Sequence, residues 1–208
     1  MTETQKLDFL HALYVAAIVA AELMGSKIFS AAGINASVAI FVLPLTFSIN
    51  DIIFEVYGKK RALSFVRSGL YILFFLVAFN LLALFLPAAD RFLAANDSYN
   101  LIFSKSLRMT LASLAAFWTA ERLDVHIFSK LKEKFSHQKF WIRNNLSNLF
   151  GLLIDTTVFM FLAFYRPGNF WFILSLIWPY WLLKFTFAAF GTPLTAWGVN
   201  WLRKNKSN

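Results

Sequence analysis

The chain has 208 residues, 59% of them hydrophobic and 15% charged, with 25 Phe, 7 Trp and a formal net charge of +9. That is too apolar for an ordinary soluble domain of this length and points to an all-α integral membrane protein. The lack of Cys excludes disulfides, thiolate chemistry and Cys-ligated metals, and His11, His126 and His137 show no metal-ligand spacing.

The first apolar run follows MTETQKLDFLH and lacks a small-residue cleavage site, so it reads as an uncleaved first span over 9–29, interrupted by Glu22 and Lys27. Ala12, Ala16 and Ala20 recur every fourth position, as do Ala17 and Ala21. This small-xxx-small spacing suits close helix packing, either within the molecule or against another protein. Glu22 lies about two-thirds of the way along the span and should face the interior, with Lys27 as its candidate partner.

The second span is expected over 36–57, entered through a turn at Gly33 and Asn35 and bent by Pro44. Near its end Asp51 and Glu55 are four residues apart, hence on one helix face about 6 Å from each other, inside an apolar run. A carboxylate near the bilayer centre costs at least about 2.5–3.5 kcal/mol, so such acids face a polar cavity or a partner charge. The plainer reading is a helix end at the membrane surface, neutralised by Lys59, Lys60 and Arg61.

The third span, 69–86, has Asn80 as its only strongly polar residue and ends at Pro87. A polar connection over 88–100 follows, then a fourth span, 102–120, whose early Lys105 and Arg108 leave only Met109 to Ala120 apolar. A segment this short and rich in Ala, Ser and Thr is expected to be enclosed by other helices. The charged stretch Glu121 to Lys139 belongs in water. In the fifth span, 140–165, Asn144 and Asp155 are eleven residues apart and nearly in phase, with Asn148 and Phe159 on the same face. The sixth, 170–201, is longer than a bilayer requires and carries Lys184 near its middle; Pro179, Gly191 and Pro193 can break it.

Six spans place thirteen cations on the side of both termini and four (Arg91, Lys105, Arg108, Arg166) opposite. By the positive-inside rule both termini are then cytoplasmic. The charge of +9 thus reflects topology, and nucleic acid is not an expected partner. On these depths Asp51, Glu55, Arg143 and Asn144 share the inner third of the membrane, and Asp155 and Lys184 lie near its midplane. That second pair is either a plain ion pair or part of a cavity with aromatic walls, and both readings can hold together. With no nucleophile–base pair and no metal spacing, an enzyme is not expected.

The segment LPLTFSINDIIFEVYGKKRA resembles the signature of the queuosine precursor transporter family: an Asp, a Glu and a Tyr-Gly followed by basic residues. FWIRNNLSNLFGLLIDTTVF is similar to that family's second motif, and Lys27, Lys184 and Thr192-Pro193 agree in place and order. Gly191 and Glu22 depart from its pattern, the first where an acid is expected and the second where a neutral polar residue is. The resemblance implies uptake of 7-deazaguanines (preQ0, preQ1 or queuine) across a bacterial inner membrane for the queuosine modification of tRNA, with no cofactor. It also implies a six-helix domain like the substrate-capture subunits of energy-coupling-factor transporters. The alternative is therefore a binding subunit of an ATP-driven uptake complex, docked through the Ala12/Ala16/Ala20 face; a homodimer stays open. The substrate-binding candidates are Asp51, Glu55, Arg143, Asn144, Asn145, Asp155 and Lys184, and the coupling or gating candidates are Glu22 and Lys27. Asp155 or Glu55 would take the guanine-like N–H edge and Asn144 the carbonyl, while Asp51 and Arg143 would form a structural or gating pair.

Overall fold

The computed structural model describes the backbone of residues 1–31, 34–134, 140–190 and 192–203, and the side chains within these except at 34, 120–134, 140–150, 187–190 and 192–194. Helix α1 (Glu3–Met24) opens on a reciprocal cap: Gln5 N donates to Thr2 Oγ1 and Thr2 N donates to Gln5 Oε1. It stops at Met24, five residues short of the expected span. Ile28–Ala31 (β1) instead turns back antiparallel to Ile34–Ser37 (β2), with Ile28 opposite Ser37 and Ala31 opposite Ile34. Asn35 therefore sits in a strand, opposite Ser30, and not in a turn. Each strand opens on a β-branched Ile, followed in β1 by Phe29, residue types that suit an extended backbone.

A single 3₁₀ turn (Val38–Phe41), capped by Ser37 Oγ accepting from Ala39 N, leads into α2 (Leu43–Tyr57). Pro44 lies in the first turn of α2, where its missing N–H costs nothing, so it starts this helix and does not bend it. Gly58 alone separates α2 from α3 (Lys59–Phe85), and its φ of 78° with ψ of 177° is a conformation essentially reserved for glycine.

Helix α4 (Leu93–Lys134) absorbs three expected segments: most of the polar connection, the fourth span and the start of the charged stretch. No Gly or Pro interrupts those 42 residues, so nothing in the backbone ends the helix. After α5 (Phe140–Phe164), the expected last span is two helices, α6 (Phe170–Phe190) and α7 (Thr192–Arg203). Pro179 lies inside α6 without ending it; Gly191, at the junction, is outside the described residues.

Among the described residues three segments are long and apolar enough to cross a membrane, Glu3–Met24, Val38–Tyr57 and Lys59–Phe85, and Gly151–Phe164 and Phe170–Thr186 are shorter apolar helices. The core has two main parts. Leu10, Tyr14, Ile49, Ile53, Phe65 and Leu202 join α1, α2, α3 and α7; Ala36, Met160, Ile173, Leu176 and Tyr180 join the hairpin to α5 and α6. A Cβ at Gly198 would overlap Ile52, so α7 reaches α2 only because that position carries no side chain. Phe74, Phe75, Phe79 and Phe85 of α3 and Trp171 and Trp178 of α6 point outward, as lipid-facing residues do.

Within α1 the small residues divide. Ala17 is buried and Ala20 half-buried, while Ala12 and Ala16 are exposed, so the first two residues of the stripe do not pack within the molecule. At its other end α1 is tied to the rest of the bundle: Lys6 Nζ donates to Trp201 O (2.5 Å) and Tyr57 OH donates to Glu3 Oε1 (3.0 Å).

Candidate substrate cavity

Helices α1 to α6 and the end of the hairpin line a partly open cavity of about 250 Å³. Its walls are mainly apolar, with Phe47, Phe117 and Phe159 offering ring faces and Leu73 and Met160 filling between them. The polar groups are few and come from different elements: Glu22 from α1, Ser37 from β2, Ser113 from α4, Asp155 and Thr156 from α5, Tyr180 and Lys184 from α6. Sparse polar groups on an apolar wall are what a site for a small, partly aromatic solute requires.

The firmest polar contact is the ion pair of Lys184 Nζ with Asp155 Oδ2 at 2.6 Å, joining α6 to α5. The lysine side chain is only 10% exposed and the aspartate 29%, so Lys184 is held where its charge needs that partner while Asp155 keeps an oxygen open to the cavity. Glu22 is more enclosed. Ser113 Oγ donates to its Oε1 (2.7 Å) and Ser106 Oγ to its main-chain carbonyl (3.0 Å), but Oε2 is buried with no hydrogen-bond partner. Lys27 does not fill that role. Because α1 ends at Met24, Lys27 leaves the helix axis, exposes its side chain and uses its main chain in the turn, donating to Met24 O and accepting from Val38 N.

Beside Asp155, Thr156 Oγ1 is also buried without a partner. Ser37 Oγ donates to Gly25 O (2.5 Å) and Tyr180 OH to Ser37 O (3.0 Å), which pins the hairpin against both α1 and α6. Non-helical backbone within a membrane bundle is tolerated where protein covers it or where it lines a cavity, and the end of β2 does both.

Asp51 and Glu55 lie elsewhere. The buried face of α2 is Ser48, Ile49, Ile52 and Ile53; both acids are exposed and neither lines the cavity. They do share a face, as their spacing requires, but it is not the packed one, so the structure places neither of these two candidates in the cavity. Glu55, 61% exposed, has Arg203 at 3.7 Å. Arg143, Asn144 and Asn145 fall near the start of α5, and their side chains lie outside the described residues.

Sequence reasoning missed Ser37, Ser113, Thr156 and Tyr180. Ser106, Thr110 and Ser113 recur at i, i+4 and i+7, a polar stripe on the face of α4 turned to Glu22 that could have been found. Nothing local marks Ser37, whose place depends on the hairpin.

Residues 37–198 match the family described as "Putative vitamin uptake transporter". A 137-residue stretch is 26% identical to the queuosine precursor transporter of Escherichia coli K12, covering 66% of this chain and 59% of that protein. The chain belongs to the queuosine precursor transporter family. A Bacillus subtilis 168 relative named "Probable queuosine precursor transporter" is 29% identical over 181 residues, 85% of this chain and 77% of its own length. One of the same name from Haemophilus influenzae Rd is 25% identical over 129 residues, 61% of this chain and 51% of its own length. The chain thus spans 51% to 77% of the length of these relatives. No solved structure matches it. The family match contains every cavity residue from Ser37 to Lys184 but not α1, so Glu22 lies outside it.

Proposed function

We propose that this chain imports queuosine precursors, 7-deazaguanines such as preQ0, preQ1 or queuine, across the bacterial inner membrane, and that the central cavity is where they bind. The observation that carries this reading is the Asp155–Lys184 pair inside an aromatic-walled cavity, in a chain whose relatives are named as queuosine precursor transporters. The free oxygen of Asp155 accepts from the adjacent N–H groups of a guanine-like edge, Lys184 donates to the ring carbonyl, and Phe159 or Phe117 stacks on the bicyclic ring. Asp51, which lies outside the cavity, acts with Arg143 as a gate pair. Calorimetric titration of the purified chain with 7-deazaguanines and with adenine is the test. Micromolar binding of the former, lost in Asp155→Asn, is expected; equally tight binding of adenine would end the substrate assignment.

In this reading the chain crosses the membrane six times with both termini cytoplasmic. Support comes from the thirteen-to-four division of cations and from Lys6 meeting Trp201, which brings α1 and α7 together at one end. Reporters fused at either terminus should be active only in the cytoplasm, and a C-terminal fusion active in the periplasm would rule out six spans. A second reading, the substrate-binding subunit of an ATP-driven complex, is favoured by the exposed Ala12 and Ala16, small side chains that let another helix approach closely. Co-purification of ATPase subunits would select it, and uptake by the chain alone in proteoliposomes would exclude it.

A further inference from the structure

Transport of a neutral or cationic 7-deazaguanine does not explain a second cavity in the molecule, of about 270 Å³, lined by Lys105 and Arg108 of α4, by Arg166 and Asn169 of the turn between α5 and α6, and by Ser26. Charge counting leaves only four cations, Arg91 and these three, on the face opposite the other thirteen. Three of the four converge on one cavity. Cations on that face run against the positive-inside bias, so their concentration at a single concavity calls for a ligand.

The cavity is built from hydrogen-bonded parts. Arg108 Nε and Nη2 donate to Leu162 O (2.8 Å) and Tyr165 O (2.7 Å), closing the C-terminal end of α5. Arg166 N donates to Asn169 Oδ1 (2.8 Å) and Asn169 Nδ2 to Phe164 O (3.0 Å), while Gly168 at a φ of 88° lets the chain turn there. Those bonds occupy Asn169 Oδ1 and three main-chain carbonyls, whereas among the described residues no hydrogen bond is made by the Lys105 ammonium, the Arg166 guanidinium or the Ser26 hydroxyl. No carboxylate lines the cavity among the described residues, and none of the three cations has an ion-pair partner there. The 21-residue α6 begins at its edge and adds the positive end of its dipole.

We propose that this cavity is an anion site that takes a phosphate group, presented by a lipid headgroup or as free phosphate. Guanidinium forks match phosphate oxygens in geometry as well as charge, and the two sources share that chemistry. Met109 lines this cavity and the central one alike, so the bound anion sits one side chain away from the proposed substrate site. The charge argument rests on the six-span topology proposed above, while the convergence of Lys105, Arg108 and Arg166 on one cavity is the site's own geometry.

The test is thermal unfolding of the full chain in neutral detergent, titrated with inorganic phosphate at constant ionic strength and, separately, with phosphatidylglycerol. Either titrant is expected to raise the unfolding temperature. Lys105→Gln/Arg166→Gln should shift the half-effect concentration upward by about tenfold or more, since hydrogen bonds to charged groups are lost, while Arg91→Gln leaves it unchanged. Arg108 is left intact because it closes α5. A response to phosphate alone assigns the free ion, and a response to phosphatidylglycerol alone assigns the headgroup. No response to either, or an equal shift in Arg91→Gln and the double variant, overturns the proposal. Should the double variant fail to fold, Arg166→Lys read by native mass spectrometry serves instead. Weaker retention of phosphate or phosphatidylglycerol than in the parent supports the site, and unchanged retention overturns it.

Discussion

Two pairs of acids sit in the helices of this bundle, and they are held differently. Asp51 and Glu55 are neighbours on one helix, exposed, beside the basic start of α3; Glu22 and Asp155 come from helices far apart in sequence and meet the same cavity. The first pair stands out in the sequence because it interrupts an apolar run just before a cluster of cations, yet the fold turns it outward. The second pair is quieter in the sequence and is where burial makes charge costly. Helix spacing says which side chains share a face, and packing alone decides which face goes inside.

The sharpest way to break this contrast is the Asp155–Lys184 pair. Replacing one partner leaves the other charged, largely enclosed and unpaired, a loss of about 3–5 kcal/mol for buried pairs. Lys184→Met should therefore lower the unfolding temperature strongly, and Asp155→Asn/Lys184→Met should recover much of it. Uptake of 7-deazaguanines should stay low in the double variant, because the pair is also the proposed recognition element. A double variant as unstable as Lys184→Met would show that the two charges are not coupled.

The sequence placed these two residues at one depth without contact information, because both sit well inside long apolar runs and Asp155 continues the polar phase of α5. It could not place Glu22 correctly relative to Lys27. That pairing assumed a continuous helix through Gly25, and four consecutive residues of extended backbone from Ile28 carried Lys27 away from the bundle interior. The α4 boundary failed for the opposite reason. Charge and polarity in 88–100 suggested a polar connection, but from Leu93 onward they only show that a helix is in contact with water, and an unbroken run without Gly or Pro stays helical across the boundary.

Glu22 should give a smaller and differently shaped effect. Its Oε1 is satisfied by Ser113 and its Oε2 is not, so the carboxylate carries a desolvation cost with little to offset it. Glu22→Gln keeps the acceptor for Ser113 and removes the charge, so stability should hold or rise by about 1 kcal/mol. If Glu22 serves coupling, as its place in the cavity suggests, substrate affinity stays near the parent value while uptake falls severalfold. Loss of affinity in calorimetry with uptake tracking it would make Glu22 a binding residue and remove it from coupling.

Asp51 and Glu55 should show the smallest effects on stability and affinity. Glu55 is exposed and its contact with Arg203 is long, and exposed pairs contribute about 0.2–1 kcal/mol at best. Glu55→Gln should therefore unfold, bind and transport like the parent protein. Asp51 has no ion pair among the described residues although it sits in an apolar helix, and an acid so placed needs a partner at some stage of a transport cycle. Asp51→Asn should accordingly keep stability and affinity, because the residue lies outside the cavity, while reducing uptake in vesicles. Calorimetry on both variants beside vesicle uptake separates the outcomes. Weakened binding in either would mean that α2 turns this face inward when substrate is present, and normal uptake in Asp51→Asn would leave its carboxylate as an ordinary surface group of the helix.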